Sequence, residues 1–369
     1  PNIDITIRLR AVVAGTLLSG LIAVALPYGE FILNGTQMGL NSSTPAAFCL
    51  LFLLVALAQP LLRLLRPSWQ LNAVELLSIT VMMMIATAIA GRGFVSIAIP
   101  IISGVHYFGT PENNWNSLLV PHVPTWMVPQ SPAAIKSFYE GASEGESIPW
   151  EVWAEPMLWW FLFMASFYLV VLCMMVIMRR QWMDNERLLY PLTQVPMSIV
   201  HRDATGRSFL NEPGMWIGMG VPISLHGWNG LSHYYEHIVK IEPAFSFPVI
   251  ENLVWLYLRF DCMWTGLAYL VNTSTTFSLW FFFMLANAEQ ALFARLGVFN
   301  TEGLDIFSHT AGRMILSHQV MGAMIVMVVM GLWTARRHLL DVSRHMWRCD
   351  ERSDGQELIS YRTATLGVI

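Results

Sequence analysis

The sequence predicts an all-α integral membrane protein with about six transmembrane helices, re-entrant or broken helices, and a small extracytoplasmic insert. Apolar residues make up 55% of the chain, charged residues only 12%, and mean hydropathy is +0.50, whereas soluble domains carry about 25% charged residues. The uncharged residues 156–178 would reach about 35 Å as a helix, enough to cross a hydrocarbon core of about 30 Å. Both observations are typical of a chain embedded in a bilayer.

Apolar stretches of the right length define the predicted spans, at residues 11–29, 45–62, 71–90, 156–178, 214–231 and 314–335. Arginines flank several of them, and basic residues stay on the cytoplasmic side of a membrane. Arg8 and Arg10 precede the first span, whereas Arg179 follows the fourth and Arg336 follows the sixth. The charge rule therefore predicts an inner-membrane, multi-pass protein with a cytoplasmic amino terminus.

The segments between these spans divide the chain into five parts. Residues 1–93 hold the first three spans, and 94–155 hold an apolar piece interrupted by Pro100, which is re-entrant or interfacial, followed by the acidic, Trp-rich outer insert. Residues 156–335 hold further spans with a broken hairpin at 259–296. Residues 336–362 form a cytoplasmic amphipathic segment, and 363–369 resemble the start of another span, so the native protein is expected to be longer.

The hairpin prediction rests on a polar interruption at residues 272–276 between two apolar runs. Unsatisfied backbone does not face lipid, so such a break belongs inside protein or beside water. Thr275 or Thr276 would cap the second arm, and its free N–H groups would bind an anionic or carbonyl-bearing solute. Asn272 and Ser274 would add hydrogen bonds. The alternative is a turn that only packs against other helices.

Three ionisable residues at the ends of spans are further site candidates, namely Glu30, Glu75 and Arg92. Burying a charge in hydrocarbon costs several kcal/mol without a partner. Each side chain either reaches headgroup water or belongs to a carboxylate and arginine set that faces an internal cavity.

The motifs for enzyme chemistry are weak. His233, Glu236 and His237 fit H-x-x-E-H, the inverted zinc-peptidase pattern, but they lie at the end of a glycine-rich span instead of within a stable helix. The lone histidines His226 and His318 are expected to be packing residues instead of haem ligands. No P-loop is present. We therefore expect no enzyme activity, no catalytic residue, no metal and no cofactor.

Three strings carry a resemblance to a known family, at residues 106–129, 179–196 and 266–285. They resemble a family of uncharacterised bacterial polytopic membrane proteins that is distantly similar to oligopeptide transporters. The resemblance covers most of the chain and implies a multi-pass protein of the bacterial inner membrane.

Broken apolar segments near mid-membrane favour a secondary transporter for a small peptide-like or anionic solute. The alternative is an accessory or structural subunit of a larger membrane complex, and a membrane metallopeptidase is the weakest hypothesis. The expected partners are the lipid bilayer and a homo-oligomer or larger complex, with no nucleic acid.

Overall fold

The computed structural model describes residues 7–33, 38–39, 44–91, 94–142, 145, 147–188, 190–201, 208–232, 234–235, 237–250, 254–297, 314–348 and 359–368. Its α-helices are α1 Leu9–Pro27, α2 Pro45–Leu53, α3 Gln59–Leu65, α4 Ala73–Ala90, α5 Val95–Tyr107, α6 Trp115–Leu118, α7 Pro132–Glu140, α8 Trp150–Arg180, α9 Pro191–Val200, α10 Pro213–Leu231, α11 Cys262–Tyr269, α12 Thr273–Arg295, α13 Met314–Arg348 and α14 Tyr361–Val368. The strands are β1 Ala244–Ile250 and β2 Val254–Arg259.

The described residues confirm the all-α membrane class. Six helices are long and apolar enough to cross a membrane: Leu9–Ile32, Pro45–Leu65, Ala73–Tyr107, Trp150–Asn185, Thr273–Arg295 and Ile315–Arg344. Five of them overlap the predicted spans at 11–29, 45–62, 71–90, 156–178 and 314–335. The predicted span at 214–231 does form α10, but α10 is not among the six, because its glycines, Pro222, His226 and Asn229 dilute its apolar residues. The helix Thr273–Arg295 takes its place.

The chain divides into two compact units. Unit 1 comprises Pro1–Val170 and Leu192–Glu212, and unit 2 comprises Val171–Pro191 and Pro213–Ile369. The long helix α8 contributes its first two thirds to unit 1 and its last turns to unit 2.

Unit 1 is built on the packing of α1 against α4. The core is apolar and includes Ile22 from α1, Leu51 from α2, and Ile79 and Met83 from α4. Gly15 allows the close approach of α1 and α4, because a Cβ there would lie 2.5 Å from the Met82 sulfur. Gly15 therefore leaves room for the Met82 side chain between the two helices, and small residues of this kind are common between membrane helices.

In the described part of the chain, three helices pass into five-residue π-helical turns, at Tyr28–Ile32, Leu54–Ala58 and Gln181–Asn185. Such turns widen the hydrogen-bond ladder from i→i−4 to i→i−5 and occur often at functional sites. The first of them carries Glu30 at the end of α1, and the last follows Arg180 at the end of α8.

The insert of unit 1 packs through aromatic rings. The Tyr107 ring of α5 stacks on the Tyr139 ring of α7 at 4.0 Å, and the Tyr139 hydroxyl donates to the Pro100 carbonyl at 2.8 Å. The Trp160 indole of α8 donates to the Met127 carbonyl at 2.9 Å. These contacts tie the insert to α5 and to the start of α8.

Unit 2 contains an antiparallel hairpin of β1 and β2, in which Ala244 pairs with Arg259 and Phe247 with Leu256. The end of α10 holds the chain that leads into β1, since the Asn229 side chain donates to the Ile241 carbonyl at 2.9 Å and accepts from the Ile241 N–H at 2.8 Å. The hairpin is thereby fixed at its open end, next to the start of α11.

Candidate functional site

The polar turn predicted as a solute site lies at the junction of α11 and α12. Asn272 caps α12, with its side-chain oxygen accepting from the Ser274 N–H at 3.2 Å, so the prediction that Thr275 or Thr276 caps the helix is wrong. Thr276 lies in the first turn and donates to the Asn272 carbonyl at 3.3 Å, and Thr275 is its neighbour. The residues from Asn272 to Thr276 are exposed. Asn is a stronger N-cap residue than Thr, and Asn272 has the non-helical backbone (φ −59°, ψ 135°) that a cap requires.

The helix that follows this turn is longer than a re-entrant arm needs to be. At about 1.5 Å per residue, α12 is about 35 Å long, enough to cross a bilayer core of about 30 Å. The polar turn therefore stands at one end of a helix that has the dimensions of a full crossing.

Glu75 is completely buried and fully bonded. Its two carboxylate oxygens accept from the Arg10 side chain at 2.7 Å each, a bidentate ion pair between the first turns of α4 and α1. Glu75 also completes a capping box, since its Oε2 accepts from the Asn72 N–H at 2.8 Å and its own N–H donates to Asn72 Oδ1 at 2.7 Å. Arg10 further donates to the carbonyls of Ser68 and Gln70 at 2.9 Å. This geometry gives Glu75 a role in joining helices.

Glu30 is buried in the π-helical turn at the other end of α1. Its Oε1 accepts from the Gly39 N–H at 2.6 Å. Gly39 in turn lies against Gly91 after α4, where an added Cβ would come within 2.7 Å of the neighbouring Cα. Arg92, predicted to form a set with Glu30 and Glu75, lies outside the described residues.

The metallopeptidase pattern is only partly visible, because His233 and Glu236 lie outside the described residues while His237 lies in a turn. Among the residues that the structure describes, no group of three or more His, Cys, Asp or Glu side chains is arranged to hold a metal ion.

A cavity in unit 2 gathers charged groups that the sequence analysis did not connect. It has a volume of about 410 Å³ and lies where the end of α10, the open end of the β-hairpin and the start of α11 meet. We call it the amphoteric cavity; its lining includes His226, Glu242, Arg259 and Asp261, with Leu225, Asn229, Phe260 and Cys262 among the other residues.

Local structure explains how these side chains come together. The hairpin register brings the segments on either side of β1 and β2 side by side, and the Phe260 N–H donates to the Pro243 carbonyl at 2.8 Å. Asp261 caps α11, with Oδ1 accepting from the N–H groups of Met263 and Trp264 at 2.9 and 3.1 Å. The signal that could have located the site is a charged residue near the start and the end of an alternating hairpin pattern: Glu242 just before β1 and Arg259 as the last residue of β2.

The chemistry of the amphoteric cavity is that of a site for both signs of charge. In the described part of the chain, the side chains of His226, Glu242 and Arg259 form no hydrogen bond or ion pair with other protein groups. A guanidinium is a bidentate donor to a carboxylate, and a carboxylate accepts from an ammonium group. The volume lies within the range of about 300–1,000 Å³ that small-molecule sites occupy.

These features define the class of the protein as a polytopic α-helical membrane protein with a polar cavity beside an interrupted helix. Over residues 3–369 the chain matches a family described as a family of unknown function, DUF6785, and it belongs to that family. No curated protein and no solved structure matches the chain significantly. The expectation of an uncharacterised family is confirmed.

Proposed function

We propose that the protein is a secondary transporter for a small peptide-like solute that carries an amine and a carboxylate. The observation that supports this most is the amphoteric cavity at the amino-terminal end of α11, the short helix that is interrupted before α12. Interrupted helices are a recurrent source of solute and ion sites in secondary transporters, because they free backbone groups beside a cavity.

The lining chemistry suits a zwitterion. Arg259 would receive the solute carboxylate, and Glu242 would receive the ammonium group. Asp261 already accepts two backbone N–H groups through one oxygen, so its carboxylate is held in a fixed orientation at the rim. At the far end of α11, about 12 Å away along an eight-residue helix, Asn272, Ser274, Thr275 and Thr276 would offer a second set of polar groups to the same solute path.

The six helices that suit a membrane crossing also support a topology. If each crosses once, Arg8 and Arg10, Arg63 and Arg66, Arg179 and Arg180, and Arg336 and Arg337 all fall on one side, as the charge rule requires. No re-entrant hairpin is then needed, and Lys240 falls on the cytoplasmic side with the amphoteric cavity. With α10 as a crossing and a hairpin at 259–296, Lys240 lies outside.

Cysteine labelling separates these two topologies. In a background with the four native cysteines replaced, we expect an impermeant maleimide to label E144C in intact cells, and R180C and K240C only after the membrane is opened. Labelling of K240C in intact cells would favour the hairpin arrangement. Labelling of R180C but not E144C in intact cells would contradict both.

The transport proposal is tested in proteoliposomes by counterflow of a labelled dipeptide with free termini. We expect uptake that unlabelled dipeptide competes away and that a dipeptide blocked at both ends does not. Arg259→Gln and Glu242→Gln should each reduce uptake about tenfold or more, as loss of a charge-assisted hydrogen bond implies. The matched control is Lys240→Gln, a charge near the cavity that does not line it. Equal uptake in all four proteins would contradict the assignment of the site.

The accessory-subunit hypothesis has one supporting observation of its own. In α10, Gly214 and Gly218 face open space, with no atom within 4 Å of an added Cβ, and no residue of α10 is buried. A small-xxx-small face of this kind accommodates a closely packed helix. A partner protein that co-purifies at fixed stoichiometry, and that is lost in the G214L/G218L variant, would support this function. If such a partner is found and no counterflow activity is measured, the accessory-subunit function is favoured over transport.

A further inference from the structure

A second cavity of unit 2 lies where two apolar helices end. The apolar part of α8 stops at Arg179 and Arg180, and that of α13 stops at Arg336 and Arg337. Both helices are among the six that suit a membrane crossing, so these arginines mark the level at which the chain leaves the hydrocarbon. The cavity between the two ends has a volume of about 620 Å³.

We call this space the basic cavity; it is lined by Arg180, Gln181, Asn185, Thr334, Arg337, His338 and Asp341. The residues from α13 are spaced by three, four and seven positions from Thr334, so they share one face of the helix. One helix face and the end of a second helix therefore form the walls.

The walls are held together by contacts that do not use the two arginines. His338 Nε2 lies 2.7 Å from the Ile177 carbonyl, and since a carbonyl only accepts, Nε2 carries the proton. The Tyr361 ring of α14 contacts the His338 ring edge to face at 6.1 Å. Gly367 of α14 packs against Cys173 of α8, where an added Cβ would lie 2.5 Å from the sulfur.

Some polar groups of the lining already form hydrogen bonds within the protein, and others do not. Asn185 donates to Gln181 at 2.7 Å, Gln181 donates to Glu186 at 2.8 Å, and the Thr334 hydroxyl donates to the Met330 carbonyl at 2.9 Å. By contrast, Arg180 and Arg337 form no hydrogen bond or ion pair with any residue that the structure describes. The charged donors left for a ligand are therefore these two guanidinium groups.

The one acidic residue of the lining is outnumbered by the two arginines and is itself paired. Asp341 accepts from Arg344 at 3.3 Å, one turn further along α13. Two guanidinium groups facing one cavity favour a multiply charged oxyanion, because each presents a fork of N–H donors that matches two oxygens of a phosphate group.

We infer that the basic cavity binds a phosphate-bearing anion between Arg180 and Arg337. The phosphate comes either from the headgroup of an anionic lipid of the cytoplasmic leaflet or from phosphate free in solution. This inference is independent of transport by the amphoteric cavity, since the two cavities share no residue.

The test uses the full chain purified in mild detergent and measures bound ligand directly. In one arm, native mass spectrometry counts phosphatidylglycerol retained from mixed micelles, with phosphatidylcholine as the zwitterionic comparison. In the other arm, equilibrium dialysis measures labelled inorganic phosphate. We expect Arg180→Gln and Arg337→Gln each to weaken binding about tenfold, because each removes a charge-assisted pair.

Two further variants keep the result interpretable. Arg336→Gln is the matched control, because Arg336 stacks on the Trp333 ring at 4.7 Å and does not line the cavity; its affinity should equal that of the unaltered protein. Asp341→Asn removes the negative charge of the lining and should tighten binding several-fold, a gain that a misfolded protein would not show. Retention of phosphatidylglycerol alone identifies a lipid site, and phosphate binding alone identifies a soluble anion. Absence of both, or equal loss in the Arg336 control, would overturn the inference.

Discussion

The two units differ in how much of their membrane-type helices is buried within the protein. The comparison is between α4 of unit 1, which packs against α1, and α13 of unit 2. In the most apolar stretch of the candidate crossing that begins at Ala73, 39% of the residues are buried, whereas none is buried in the most apolar stretch of Ile315–Arg344. One buried carboxylate of unit 1, Glu75, has both oxygens bonded within the protein. In unit 2, Arg259 and Arg337 line cavities with no protein partner among the described residues.

This difference indicates which unit has charged groups available to bind a ligand. A charge buried with its partner contributes to the packing of helices and has little capacity left for a ligand. An unpartnered charge at a cavity contributes little to stability and remains available for binding. Substitutions should therefore affect mainly stability in unit 1 and mainly ligand binding in unit 2.

The largest effect is expected for Glu75→Ala. It leaves Arg10 without its carboxylate and the Asn72 N–H without its acceptor, so we expect the free energy of unfolding in mild detergent to fall by about 3–5 kcal/mol. The matched control is Glu140→Ala, which breaks the exposed 3.7 Å pair with Lys136 and should cost less than about 1 kcal/mol. Equal losses of unfolding free energy in the two variants would show that Glu75 stabilises unit 1 no more than an exposed ion pair does.

A smaller effect is expected for Gly91→Ala. The added Cβ would lie 2.5 Å from the Gly39 carbonyl oxygen and 2.7 Å from its Cα, and backbone atoms yield less readily than a side chain. We expect a loss of about 1–3 kcal/mol, measured by thermal unfolding with fluorescence detection. The backbone of Gly91 has φ −80°, so the penalty is steric instead of conformational.

The matched control for Gly91 is Gly218→Ala in α10, where no atom lies within 4 Å of the added Cβ. Alanine has the higher helix propensity, so the protein should be unchanged or more stable by up to about 1 kcal/mol. A marked loss of stability for Gly218→Ala would mean that α10 is packed against a partner in the purified protein. The helices of unit 2 would then be less different in burial from those of unit 1.

The smallest effect on stability is expected for Asn272→Ala. Loss of the cap of α12 should cost about 1 kcal/mol, seen as a small decrease in melting temperature. Counterflow of the dipeptide then gives the informative measurement. If uptake falls much more in Asn272→Ala than in another variant that loses the same stability, the polar turn belongs to the solute path. An unchanged rate would leave Asn272 with a capping role.

The spans were predictable because their signal is local. A long run of uncharged residues closed by Arg179 and Arg180, or by Arg336 and Arg337, gives both position and direction, and helices lie at these places. The choice between residues 214–231 and 273–295 was harder. Both runs mix apolar with small or polar residues, and helix formation alone does not distinguish a crossing.

The candidate sites were less predictable because they depend on pairs far apart in sequence. Glu75 was singled out as an ionisable residue, but its partner Arg10 lies 65 positions away and appeared in the sequence only as an orientation signal. The amphoteric cavity needs the hairpin register to bring Glu242 and Arg259 to the same place. Neither relation leaves a periodic pattern in the chain.

The π-helical turn at the end of α1 has a consequence for how the protein tolerates insertions and deletions. One extra residue is accommodated within Tyr28–Ile32, whereas in a regular helix a single added residue rotates everything beyond it by about 100°. Removing one residue from this turn would restore the regular ladder and swing the Glu30 carboxylate away from the Gly39 N–H, which it now meets at 2.6 Å. Length, and not only side-chain identity, is therefore a constrained property of this stretch of helix.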